Sequence, residues 1–149
     1  MEIKVIKLKQ EARLPEYATD GSGCFDLCAN LENNPIGFPV LQGNPVTVPT
    51  GLAFEIPEGH VMLIFSRSGH GFNSNTRLAN CVGVIDSDYR GEVMVRLSCD
   101  SNNGKTLYLA HGDRIAQGLI VPIPKVTFLE VSALTETVRG NGGFGSTGA

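Results

Sequence analysis

No apolar run in this sequence approaches the roughly 20 residues that a membrane-spanning helix needs. The opening "MEIKVIKLKQ" alternates charge with aliphatics where a signal peptide would carry an unbroken apolar stretch. A cytoplasmic protein without membrane association is the expectation. Basic excess is lacking as well: 12 Lys and Arg stand against 15 Asp and Glu, a formal net charge of −3. That argues against a general nucleic-acid coat, and no direct DNA or RNA binding is expected. A small anionic ligand, held by a few gathered arginines, stays open. The cysteines, Cys24, Cys28, Cys81 and Cys99, form no C-x-x-C pair, and His60, His70 and His111 are scattered, which disfavours a metal cage of protein ligands alone. All four thiols are expected to be reduced and mostly buried as small hydrophobes. No G-x-x-x-x-G-K-[ST] loop occurs, no internal repeat, no dividing linker and no stretch with three turns of helical periodicity.

What remains is a succession of short alternating runs punctuated by 18 glycines and 8 prolines, the pattern of an all-β domain. "EIKVIKL" turns Ile3 and Val5, with Leu8 at the margin, to one side and lysines to the other. "TGLAFEIPEGHVMLIFS" reads as a hairpin, with Leu52, Phe54 and Ile56 alternating before a Pro-Gly reversal and "VMLIF" returning as an apolar strand. "EVMVRLSC" places Val93, Val95 and Leu97 on one face; "RIAQGLIVPIP" and "KVTFLEVSAL" complete the strands. "HGFNSNTRL" supports at most one short helix. The predicted architecture is a jelly-roll-like, closed β-barrel.

Four loops carry more chemistry than a barrel needs. "SRSGHG" combines a guanidinium fork (Arg67), a hydroxyl (Ser68) and a small residue (Gly69) that lets backbone N–H groups approach an anion, although Arg-Ser-Gly is also common turn composition. "NCVGVIDSDYRGEV" reads as a hairpin whose tip carries Asp86, Asp88, Tyr89 and Arg90. Its aspartates suit Asx turns, and Asp86 equally suits a general base facing a pocket. In "HGDRIAQGLI", Asp113 and Arg114 form an ordinary surface charge pair. Gln117 is a polar group in an apolar run, and needs either a backbone partner or a ligand oxygen. The ending "RGNGGFGSTGA" has the composition of a disordered tail, yet it holds Arg139, an uncrowded Phe144 for stacking, Gly145, and the hydroxyls of Ser146 and Thr147. Ordering it costs on the order of 10 kcal/mol at about 1 kcal/mol per residue. Stacking a base returns about 1–3 kcal/mol. An ordered arm therefore implies a ligand with both a base and a polyphosphate.

Taken together and in order, "TDGSGCFDL", "SRSG", "NCVGVIDSDYRG", "GDRIAQ" and "RGNGGFGSTG" resemble the five motifs of the trimeric dUTPases, spanning Thr19 to Gly148. The resemblance implies a dUTPase-like β-clip barrel over residues 1–138 and a glycine-rich C-terminal arm over 139–149. It implies a homotrimer with sites between subunits, and hydrolysis of dUTP to dUMP and pyrophosphate, which keeps uracil out of DNA. Asp86 would deprotonate the water that attacks the α-phosphorus. Mg²⁺ would ride mainly on the substrate phosphates, with Asp26 reaching it through water only or serving structure. Arg67, Ser68, Gly69 and Gln117 would contact phosphate. Asn80, Val84, Ile85, Asp86 and Met94 would hold base and sugar, and Tyr89 would pack under the deoxyribose and exclude a 2′-hydroxyl. Arg139, Phe144, Gly145, Ser146 and Thr147 would close over the nucleotide as a lid.

The sequence departs from the family pattern at Ser66, His70 and Gly71, which stand where Pro, Leu and Ala are usual. The glycine and histidine weaken the helix expected after "SRSG". Cys24 replaces a small residue in the first motif, and "NNPIGFPVLQGNP" is a long insert. Two alternatives share the barrel. One is a dCTP deaminase relative, which is expected to carry glutamate in its site. The other is a nucleotide-binding trimer that regulates a partner without turnover.

Overall fold

A computed structural model describes residues 1–32, 34, 36–101 and 104–146. In chain order its elements are β1 (Lys4–Lys7), β2 (Phe25–Cys28), β3 (Phe38–Val40), β4 (Val46–Pro49), β5 (Leu52–Glu55) and β6 (His60–Phe65). These are followed by α1 (Ser68–Ser74), β7 (Thr76–Leu78), β8 (Gly83–Ile85), β9 (Met94–Cys99), β10 (Leu107–Leu109) and β11 (Arg114–Pro122). All pairings between these strands are antiparallel, in four small sheets: β2-β11-β6-β8, β4-β9-β7, β1-β5 and β10-β3. The all-β barrel expected from the sequence is the architecture found.

Alternation turns these short strands into a shared interior. Val93, Val95 and Leu97 are all buried, as are Leu52, Phe54 and Ile56, and they meet Leu27, Met62 and Ile115 in one aliphatic core. Ile3 and Val5 pack at its edge, while Leu8 lies outside β1 and is exposed.

Both predicted hairpins are corrected by the sheet order. β5 pairs with β1, and both edges of β6 are taken, by β11 on one side and β8 on the other. The Pro57–His60 turn is thus a corner between sheets, closed by the His60 N–H on the Pro57 carbonyl at 3.1 Å. Likewise β9 is flanked by β4 and β7, so β8 joins β6 instead and the "DSDYRG" segment crosses from one sheet to another. "KVTFLEVSAL" is not a strand. Pro122 and Pro124 remove ladder donors at the end of β11, and Val126, Phe128, Leu129, Val131 and Leu134 lie exposed with no partner strand. The helix does form, over seven residues, despite Gly69, His70 and Gly71. No cysteine is in a disulfide, and only Cys99 is fully buried; Cys81 is exposed and takes a left-handed φ of 64°.

Candidate functional site

Sheet register sets the first group of side chains. Gln117 of β11 stands opposite Asp26 of β2 on one side and Phe65 of β6 on the other, so the chain leaving β6 brings Arg67 beside the same row. The Arg67 Nε donates to Asp26 Oδ1 at 3.0 Å, and the Gln117 Nε2 donates to the Ser66 carbonyl at 3.0 Å. The backbone partner considered for Gln117 is therefore present. Arg67 occupies the N-cap position of α1 in an extended conformation, and its carbonyl accepts the N–H groups of His70 and Gly71. Ser68 and Gly69 fall in the first turn, where no helical carbonyl is available to their N–H groups. A Cβ on Gly69 would come no closer than 4.0 Å to Asn73, so packing within the chain does not require glycine there.

The second group follows β8. Val84 and Asp86 are exposed and Ile85 is half-buried; Asn80, Tyr89 and Met94 are exposed around them. The loop is fixed by backbone and by Arg90, whose Nη1 donates to the carbonyls of Ser87 (2.7 Å) and Tyr89 (3.0 Å). The Tyr89 N–H donates to the Asp86 carbonyl and its hydroxyl donates to the Glu92 carbonyl at 3.0 Å. The ring is then folded against Gly91, where a Cβ would meet the phenolic oxygen at 2.4 Å. Among the described residues no group donates to the Asp86 carboxylate, so neither Asx turn nor ion pair engages it.

These two groups do not meet within one chain. Ile85 pairs with Met62, so Asp86 lies level with Val61, at the opposite end of β6 from Arg67. Four steps within β6 and two more through Ser66 to the extended Arg67, at ~3.3 Å each, place them about 20 Å apart. The third group, the tail, is separate again. Hydrogen bonds of residues 139–146 to described partners stay within 137–146, among them Arg139 Nε to the Gly142 carbonyl at 2.9 Å. Phe144 is fully exposed, with a left-handed φ of 46°, and Gly145 and Ser146 stand exposed beside it. Thr147 lies outside the described residues.

Three residues enter the first group that the loop reading left out or undervalued. Arg114 donates from Nη1 to Asp26 Oδ2 at 3.1 Å, so it is not a mere neighbour of Asp113. Ser66, where the family usually has proline, accepts the Leu78 N–H on its hydroxyl at 2.9 Å and ties the loop to β7. His70 lies in α1 with its Nδ1 buried and without a partner among the described residues. Burial, and next the Arg67 charge, push its pKa below the usual imidazole range, against the pull of Asp113 and Asp26. Spacing could have flagged Arg114 through its motif; nothing local could have announced that Asp26 sits across the sheet from it.

The donor set does not form a protein-built metal site. Among the described residues no three His, Cys, Asp or Glu side chains gather closely enough to hold an ion. Both oxygens of Asp26 face guanidinium groups.

An all-β barrel with an arginine-bearing loop after β6 and an unengaged carboxylate after β8 has the β-clip architecture. Comparison with known proteins narrows this. The dUTPase family model matches residues 10–148. A deoxyuridine 5'-triphosphate nucleotidohydrolase of Dinoroseobacter shibae is 47% identical over 137 residues, covering 91% of this chain and 87% of the relative. One from Anaplasma marginale is 42% identical over 151 residues, covering 99% of each. Among solved structures, the dUTPase of Staphylococcus bacteriophage 80alpha with dUPNHPP superimposes with a TM-score of 0.83 at 25% identity, covering 99% of each chain. The phage phi11 dUTPase of S. aureus, solved with a structural Mg(II) ion, gives 0.78 at 22% identity, covering 91% of this chain and all of that one. The chain belongs to the dUTPase family.

Proposed function

We propose that this protein hydrolyses the magnesium complex of dUTP to dUMP and pyrophosphate, as a homotrimer whose sites lie between subunits. The observation that carries the chemistry is the union of Asp26, Arg67 and Gln117 on one sheet face beside the first turn of α1, because it gathers a guanidinium fork, an amide and uncovered backbone N–H groups around one point. Gly69 is glycine where packing does not demand it, which suits close approach of a phosphate to the backbone. Asp86, with no partner for its carboxylate among the described residues, takes the proton of the attacking water. Mg²⁺ arrives with the triphosphate, where it neutralises phosphate charge. Asp26 holds arginine rather than metal.

The separation of about 20 Å between Asp86 and Arg67, from ~3.3 Å per strand residue, supports the assembly. No single triphosphate nucleotide brings its α-phosphorus to one and its terminal phosphates to the other, whereas two copies side by side can. The exposed segment from Val126 to Leu134 supplies apolar surface for such contacts. Arg139, Phe144, Gly145, Ser146 and Thr147 form an arm, residues 139–149, that closes over the nucleotide of another subunit and opens for product release. Four thiols outside any disulfide suit a reducing, cytoplasmic setting.

The test is product analysis with dUTP, dCTP, UTP and dTTP at equal concentration. Release of dUMP and pyrophosphate from dUTP alone is expected. Ammonia from dCTP would make the protein a deaminase, and nucleotide binding without product would make it a binding trimer.

A further inference from the structure

Close behind Arg67, where the family pattern has leucine, this chain carries a group that can take a charge, His70. The His70 N–H donates to the Arg67 carbonyl at 3.1 Å, which seats the imidazole on the first turn of α1, one turn from the arginine. Its Nδ1 is shut off from solvent and takes no hydrogen bond among the described residues. A neutral imidazole can keep one ring nitrogen as an idle acceptor, whereas the imidazolium has two donors, and a buried donor without an acceptor is costly. The free protein therefore favours neutral His70.

Burial opposes the proton most, and the Arg67 charge opposes it next. Asp113, from the turn between β10 and β11, and Asp26, from β2, act the other way. Asp26 is set opposite Gln117 by a bulge in β11 between Arg114 and Ala116, and its oxygens hold Arg67 and Arg114 at 3.0 and 3.1 Å. Asp113 accepts the Ala110 N–H at 2.8 Å. Arg77, on the β7 strand packed against α1, is turned to Asp100 at 2.8 Å. Of the charges that bear on His70, Arg67 alone opposes its proton, and Arg67 is the group that a polyphosphate would neutralise. An anion on this loop thus removes the opposing charge and adds a favourable one, while both aspartates stay in place.

We propose that His70 is a charge-sensing positioning residue of the phosphate site, which takes up a proton when a polyphosphate settles on Arg67 and so favours the triphosphate over the monophosphate product. This rests on the dUTP reading of the same site. The coupling has a definite sign: binding that takes up a proton tightens as pH falls from the bound-state titration point to the free-state one. The Hε1 resonance of His70, identified as the one lost in His70→Leu, would be titrated in the full chain by NMR. The ligands are dUPNHPP with Mg²⁺, inorganic pyrophosphate, and dUMP. The first two are expected to raise the titration point by about one pH unit or more, a tenfold gain in proton affinity. dUMP, whose phosphate lies toward Asp86 in this reading, should leave it where it is. Over the same interval KM for dUTP in the wild type should fall relative to His70→Leu by roughly tenfold. A His70 titration that pyrophosphate and the analogue leave unmoved would overturn the proposal, as would an equal shift with dUMP or identical KM profiles in the two proteins. Should His70→Leu not fold, His60→Gln and His111→Gln identify the resonance by elimination, and the NMR titration decides. If the wild-type protein leaves dUTP untouched, the assigned reaction fails, whereas the pyrophosphate titration still judges His70.

Discussion

Asp86, Gly91 and His70 show how much a single side chain decides here. Asp86 has an unengaged carboxylate, so Asp86→Asn should keep dUTP affinity and lower kcat by roughly 100- to 10,000-fold, the range for a positioned general base. Wild-type turnover in that variant would remove Asp86 from the mechanism. Gly91 lets the Tyr89 ring lie flat, with space that a Cβ would take at 2.4 Å from its hydroxyl. Gly91→Ala should displace the ring and lower the preference for dUTP over UTP, read as a ratio of kcat/KM values; an unchanged ratio would mean that Tyr89 does not police the 2′-position. His70 has a depressed pKa, so the unfolded chain binds its proton first as pH falls. Stability is therefore lost from about pH 6.5, the free imidazole value, downward to the folded pKa. His70→Leu should flatten that loss, and equal falls in Tm between pH 7.5 and 5 for both proteins would refute it.

At the scale of elements, the strands themselves were legible because their alternation is local: most of "EVMVRLSC" and of "RIAQGLIVPIP" forms strand, as Met94–Cys99 and Arg114–Pro122. Their partners were not. Which edge of β6 is free depends on β11 and β8, which lie 18 or more residues away in the chain, so two apparent hairpins became sheet-to-sheet corners. The same holds for the site. Arg67 and Gln117 could be suspected from their loops, whereas the bulge that aligns Gln117 with Asp26 has no signature in the residues around it. The tail is bound to nothing else in the described chain, so truncation after Val138 should leave the barrel's melting curve unchanged and nearly abolish dUTP hydrolysis. A large drop in Tm would make the tail part of the barrel instead.

For the whole molecule, the deciding quantity is the separation of about 20 Å between Asp86 and Arg67, from ~3.3 Å per strand residue. If subunits complete each other's sites, Phe128→Asp should disrupt the assembly by placing charge on the exposed apolar segment, and activity should disappear with the trimer. Size-exclusion chromatography with light scattering, run beside the assay, checks this; a fully active monomer would sink the shared-site scheme.

The residues alone determined the class of fold, since period-two alternation and turn chemistry are read over a few positions, and they determined the family, since five short loops carry it in order. Only the tertiary structure decided which strands pair, that Asp26 clasps two arginines, and that the Asp86 carboxylate and the Arg67 loop lie apart in one chain. The reason is physical: propensity acts along the backbone, whereas register, bulges and ion pairs are settled between segments that meet only when the barrel closes.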